Sequence, residues 1–366
     1  MVSNALSVLF CILVWLWGLS MVLKARRNFL SISLWRSIFA IISIAIICVC
    51  AYYDTDFYHY EDIFQSVTST NISHMEDVYL PIALFANGNY LLFRFCIWGV
   101  AVLLAMYIAK RLKLPLSLFS LYFLVLILLK FGYGRVSLAL TIATLGFTFI
   151  IKPISPKIFS ILFGVLAVYV SSYFHDSVIF YIIILVISLL FINTGRKSLV
   201  ILFVLYPVLV YLFQMYGGYY IMQYIDSNDS AQGALYYVNG DFEGYQGIGV
   251  AVKTFLERMP FFLTVLLAVL IRWNNYHNTM PFYMKIINSL SILTVITAFM
   301  FSFNTTINTY SLYYRFLYFA MLPMIILVTY CHMNRLFPKL INIIFWCGVI
   351  ASSYSLIYSL YCNIVG

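Results

Sequence analysis

Long apolar runs separated by short polar turns recur along the whole chain. The runs have about the ~20-residue length that a bilayer core demands. They predict about twelve helical spans, over 4–23, 34–53, 89–109, 115–130, 135–151, 158–174, 178–194, 198–215, 254–273, 282–302, 311–331 and 339–361. The expected architecture is all-α: a polytopic integral membrane protein forming a single transmembrane domain over 1–366. Two polar stretches, 54–87 and 216–253, are long enough to be outer loops. The first apolar run is followed, not preceded, by Lys24, Arg26 and Arg27. A cleavable signal has its bases first, so this run is expected to be a retained helix.

Composition agrees. With 64% hydrophobic and 9% charged residues, the chain is no soluble domain. The net charge of +9 does not imply nucleic acid, because the bases sit in short turns, where topology is encoded. Lys24, Arg26, Arg27, Arg36, Lys110, Arg111, Lys113, Lys152, Lys157, Arg196, Lys197, Arg272, Lys285, Arg335 and Lys339, 15 of the 21 bases, fall on one side. The positive-inside rule makes that side cytoplasmic and places both termini outside. All 12 acids, from Asp54 to Glu257, fall on the other side or at its helix ends. The seven cysteines lie in apolar runs without CxxC spacing and read as small buried hydrophobes. No nucleotide-binding motif occupies the cytoplasmic turns, which argues against an ATP-driven pump.

Six bases remain on the acidic side: Arg94, Lys130, Arg135, Lys253, Arg258 and Arg315. Retention by the positive-inside rule does not explain them. Snorkelling to headgroups or pairing with outer acids is the bland account; holding an anionic substrate is the other. Lys130-Phe131-Gly132-Tyr133-Gly134-Arg135 forms the bend between two apolar runs. Its glycines allow close backbone approach and its Arg offers a two-pronged grip on phosphate. Beyond it, Ser137, Thr141, Thr144 and Thr148 share one helix face, a stripe expected to bond to a neighbouring helix.

His175 ends the sixth expected span, and a neutral His there suits proton abstraction from a sugar hydroxyl. Asp54-Thr55-Asp56 has the DxD spacing that holds a divalent ion in many glycosyltransferases, although it equally suits solvated carboxylates or an acceptor hydroxyl. Arg315 stands between Tyr314 and Tyr318 in a late apolar run and needs a partner in lipid. The two outer stretches mix Tyr, Asn, Asp and Gly, suited to sugars or simply to an interfacial belt.

Asp54, Asp56 and Tyr58 opening an outer segment, Arg135 before a small-residue helix, His175 with Ser177, and Arg315 with Tyr318 together resemble the EpsG-like branch of the Wzy polysaccharide polymerases. That resemblance implies a fold similar to the lipid-to-lipid GT-C-type glycosyltransferases in a bacterial inner membrane. It implies polymerisation of polyprenyl-diphosphate-linked repeat units for O-antigen, capsule or exopolysaccharide, with donor and acceptor glycans, membrane lipid, a chain-length regulator and a flippase as partners. The chemistry implied is inverting, metal-independent and cofactor-free, with Arg135 and Arg315 on the diphosphate and His175 as general base. Asp54, Asp56, Tyr58, Arg94, Lys130, Tyr314, Tyr318, Lys253 and Arg258 are the expected substrate-binding set. The alternatives are a polyprenyl-phosphate-sugar transferase with a DxD-held metal, a transporter of lipid-linked sugars, and a membrane acyltransferase.

Overall fold

A computed structural model describes residues 2–52, 55–67, 77–126, 136–175, 177–192, 199, 201–212, 248–301 and 309–365. Among these residues there is helix and no strand. Apart from single-turn helices such as Ala25–Asn28 and Tyr276–Thr279, the helices among the described residues are, in chain order, α1 (Val2–Val22), α2 (Leu34–Cys50), α3 (Thr55–Gln65), α4 (Tyr79–Ala86), α5 (Tyr90–Arg111), α6 (Leu116–Leu126), α7 (Val136–Ile151), α8 (Lys157–Phe174), α9 (Val178–Leu190), α10 (Leu202–Leu212), α11 (Ile248–Trp273), α12 (Phe282–Phe301), α13 (Thr309–Met333) and α14 (Pro338–Val365). Every expected span holds one of them. Five stretches among the described residues are long and apolar enough to cross a membrane: Ala5–Ser31, Tyr90–Arg111, Lys157–Phe174, Phe282–Met300 and Pro338–Ile364.

Two features depart from the sequence expectation. The stretch 54–87 contains α3 and α4 rather than loop alone. α3 is too polar to be a span, yet it buries Phe57, Ile63 and Phe64 on one face. α11 begins at Ile248, so Lys253 lies in helix, not in the second outer loop; the rest of that loop, 216–247, lies outside the described residues. All seven cysteines are free, and only Cys11, Cys48 and Cys331 are buried, with Cys362 exposed.

The contacts divide the chain into two compact units. One comprises Met1–Ile179, Ile248–Pro260 and Ile325–Gly366. α6 is its axis: every residue from Ser117 to Leu126 is buried, with α1, α2, α5 and α14 around it. Helix carbonyls in hydrocarbon are already bonded, so side chains reach them only at close approach. Trp15 Nε1 donates to Leu124 O at 3.0 Å and Ser352 Oγ to Val125 O at 3.0 Å. Gly348 permits that approach, since a Cβ there would lie 2.5 Å from Val125 O.

Among the described residues, α7 and α8 make an extensive helix pair. The expected stripe on α7 is buried; three of its hydroxyls donate back to their own helix, and Thr148 Oγ1 also accepts from Arg111 Nε of α5 at 3.1 Å, the bond to a neighbouring helix that the sequence predicts. Thr141 donates to Ser137 O, Thr144 to Leu140 O and Thr148 to Leu145 O, each at 2.7 Å. At the base-rich end α5 and α7 cap one another. Arg111 donates to Thr148 O at 3.1 Å and to Lys152 O, while Lys152 Nζ donates to Arg111 O at 2.8 Å. Cations at helix C-termini satisfy orphan carbonyls and the dipole together.

The other unit comprises Phe180–Gly247 and Phe261–Met324. Its buried cation is Arg272, which donates to Asn288 Oδ1 at 2.7 Å and Ser289 Oγ at 2.6 Å, tying α11 to α12. Nearby, His277 Nε2 donates to Ile192 O at 2.8 Å. Tyr206 and Thr297 share a hydrogen bond of 2.6 Å between α10 and α12.

Candidate functional site

The N-terminal end of α5 is built on aromatic rings. Tyr90 and Phe93 meet α3 through Phe57 and Phe64, with centroids 5.0–5.5 Å apart. Tyr90 Oη donates to Phe57 O at 3.0 Å. These contacts dock α3, which carries Asp56 and Tyr58, onto α5; Asp54 lies outside the described residues, as do the side chains of Asp56 and Tyr58.

Arg94 sits in the middle of this cluster and is only 1% exposed. Its Nε donates to Val49 O at 2.6 Å and its Nη2 to Cys48 O at 2.9 Å. The guanidinium lies 4.0 Å from the Trp98 ring and 4.9 Å from the Phe57 ring. A π-helical turn over Phe95–Gly99 follows directly. Arg94 therefore caps the C-terminal end of α2, its charge screened by ring faces. This corrects its expected role as a substrate ligand: the fork that would grip a phosphate already holds two backbone carbonyls.

The same cluster reaches His175. Tyr79, the buried first residue of α4, packs against Phe93 at 6.4 Å and Phe174 at 6.0 Å. Its Oη donates to Phe174 O at 2.8 Å, holding the last carbonyl of α8. His175 follows as the helix cap, half-buried. Its Nδ1 accepts from Ser177 N–H at 3.2 Å and contacts Ser177 Oγ at 2.9 Å. A backbone N–H can only donate, so Nδ1 carries the lone pair and the neutral ring carries its proton on Nε2. The imidazole is set up as a donor at Nε2. The expected general-base role would require this tautomer to reverse.

α7 runs antiparallel to α8. Gly146 faces Gly164, and ten residues outward from that crossing, Val136 comes level with Phe174. Arg135 immediately precedes Val136 in sequence; with Lys130 it lies outside the described residues. On α11, Lys253 and Arg258 are half-buried. Between them in sequence is Glu257, 9% exposed, whose Oε1 accepts from Ser355 Oγ of α14 at 2.8 Å. Arg315 and Tyr314 lie on α13, where their side chains are not described, and Tyr318 of the same helix is half-buried.

The structure thus brings the α3 segment, Arg94 and His175 into one network of contacts. Sequence reasoning missed Tyr79, which connects this network, and Glu257, the buried acid that α11 presents to Ser355 of α14. Tyr79 looked like belt aromatic. Glu257 did carry a signal, as an acid inside an apolar run.

The sequence profile of the EpsG family matches residues 33–363. No curated protein and no solved structure matches the chain.

Proposed function

Because the chain belongs to the EpsG family, whose members are polysaccharide-polymerase-like membrane proteins, we propose that it polymerises polyprenyl-diphosphate-linked oligosaccharide repeat units at the acidic, outer face of a bacterial inner membrane. An acceptor hydroxyl attacks the anomeric carbon of the donor glycan. The new C–O bond forms as the bond to diphosphate breaks, and the electron pair leaves on polyprenyl diphosphate. In-line attack inverts the anomeric centre.

Charge gathers on the leaving diphosphate, so preplaced guanidinium groups lower the barrier; one such contact is worth about 2.7–4 kcal/mol. Arg135 and Arg315 have this role in our reading. His175, with its proton on Nε2, donates to a phosphate or sugar oxygen. The acceptor proton then passes to a carboxylate of the first outer segment, Asp54 or Asp56. Lys130, Tyr58, Lys253, Arg258, Tyr314 and Tyr318 are retained as substrate contacts, and Arg94 is withdrawn.

The observation that carries the reading is the Tyr79–Phe174 hydrogen bond of 2.8 Å. It ties α4, which packs on the same Phe93 ring as Phe64 of α3, to the helix end bearing His175. The test is chain extension by protein purified in detergent and given lipid-linked repeat units. Wild type should build a ladder of long glycans. Arg135→Ala should build none while reaching the membrane at normal level, and Arg135→Lys should rescue poorly, lacking the fork. A normal ladder from Arg135→Ala overturns the scheme. Activity in detergent, with no membrane to cross, disposes of the transporter reading.

A further inference from the structure

A second cationic feature lies at the base-rich end of the α6-centred unit. The turn between α13 and α14, the start of α14, Tyr122 and the segment after α1 enclose an open cavity of about 260 Å³. Arg26, Arg335, Asn342, Tyr122, His332 and Phe345 are among its lining residues, and no carboxylate is. The one buried acid on this unit's α11, Glu257, meets α14 at Ser355. That is seventeen residues beyond Pro338, roughly 25 Å along the helix at 1.5 Å per residue.

The wall is pre-arranged. His332 Nε2 meets Arg26 O at 2.9 Å, and a carbonyl only accepts, so Nε2 carries the proton. Nδ1 then accepts from Tyr122 Oη at 2.6 Å. The histidine has both ring nitrogens bonded, and it fixes the backbone of Arg26. The Arg26 guanidinium donates to Asn342 Oδ1 and lies over the rings of Phe345 and Trp346 at 4.7 and 5.0 Å. The cavity's charge comes from two forks, those of Arg26 and Arg335.

Arg335 is an odd choice for its position. It is exposed and has φ +54, closing α13 with Leu336 N–H on Cys331 O at 2.9 Å. Glycine takes that left-handed position without strain. A residue that costs backbone energy and delivers a guanidinium to a cavity without acids points to an anion.

We propose that this cavity binds a phosphate group, clamped between Arg26 and Arg335 with Asn342 beside them. Planar forks match phosphate oxygens in pairs. The volume falls below the ~300–1,000 Å³ of ordinary small-molecule sites, which suits a compact anion. The phosphate is that of an anionic phospholipid headgroup or a soluble phosphate; the chemistry is shared. The site is independent of the polymerase reading, which concerns the opposite end of the helices.

The test is thermal unfolding of the full-length protein in neutral detergent micelles, titrated with phosphatidylglycerol, with diacylglycerol, or with inorganic phosphate. Phosphatidylglycerol should raise the wild-type midpoint and diacylglycerol should not. A matching rise with inorganic phosphate assigns a soluble anion; a rise with phosphatidylglycerol alone assigns the headgroup. Arg335→Gly keeps the turn conformation, so its midpoint without ligand should be no lower than wild type. Its half-saturating phosphatidylglycerol should rise about tenfold or more, the scale of a lost charge-assisted hydrogen bond. Arg27→Gln, an exposed neighbour outside the cavity, should respond as wild type. No midpoint rise with either phosphate probe, or a rise that survives undiminished in both Arg335→Gly and Arg26→Gln, overturns the proposal.

Discussion

Gly146 of α7 and Gly164 of α8 face one another so closely that a Cβ built on either lies 2.6 Å from the other's carbonyl oxygen. Small residues let helix backbones pack where lipid gives no hydrophobic drive for association. The obstruction is backbone on both sides, so no side-chain rotation relieves it. Gly146→Ala and Gly164→Ala should each destabilise the protein by about 1–3 kcal/mol, the usual cost of overpacking. The double variant should cost less than the sum, because the first methyl already parts the helices. Thermal unfolding of purified protein checks this. Chain extension should fall as well, since the crossing sets the level of Val136 against Phe174.

Arg94 should prove a structural residue. Arg94→Met removes the donors from Val49 O and Cys48 O, and Arg94→Lys keeps the charge but loses the fork. Leaving a buried carbonyl short of its donor typically costs about 1–3 kcal/mol, so both variants should show lowered unfolding midpoints. If Arg94 instead gripped substrate, Arg94→Lys would raise KM with its midpoint unchanged. Comparing midpoint with KM in that one variant decides between the two roles.

The apolar helices were legible, five of them among the described residues long enough to cross a membrane, because apolar run length is a direct consequence of bilayer thickness. α3 was not, because it is built like a surface helix: Asp56, Glu61 and Asp62 share it with Phe57, Ile63 and Phe64, and its burial depends on rings of α5. Arg94 was misread for a related reason. A base near an outer helix end looks the same in sequence whether it meets a phosphate or the carbonyls of a helix forty-five residues away. The hydroxyl stripe of α7 was rightly taken as structural, but periodicity cannot tell a hydroxyl reaching a neighbour from one turning back on its own turn. Of the expected catalytic set, the structure describes the side chain of His175 alone, and the tautomer it holds, with the proton on Nε2, is a detail that sequence does not carry.

His175 separates two chemistries. As a donor through Nε2 it can be replaced in part by Gln, whose amide also donates; as a general base it cannot. His175→Gln should therefore retain a measurable fraction of chain extension, well above His175→Ala. The pH profile of His175→Gln should keep its acidic limb if Asp54 or Asp56 takes the proton. Equal inactivity of the two variants would return the base role to His175, for which a loss of about 10²–10⁴ is typical.

His277, in the short helix Tyr276–Thr279 between α11 and α12, should make the second unit sensitive to acid. It is 2% exposed, its Nε2 donates to Ile192 O, and its Nδ1 is buried without a hydrogen-bond partner. Burial first, and then the nearby Arg272 and Lys285 cations, hold its pKa down at about 4, against 6.5 in the unfolded chain. A depressed pKa means the unfolded chain binds the extra proton first. The stability that neutral His277 contributes is thus complete above pH 6.5 and is lost progressively as pH falls toward 4. Unfolding midpoints between pH 7.5 and pH 4.5, a range chosen to span roughly that window, should decline for wild type. His277→Gln, which can still donate to Ile192 O but does not titrate, should decline less steeply. Parallel curves for the two proteins would mean that His277 is protonated in the folded state without cost, contrary to a ring whose Nδ1 has only buried surroundings and two cations beside it.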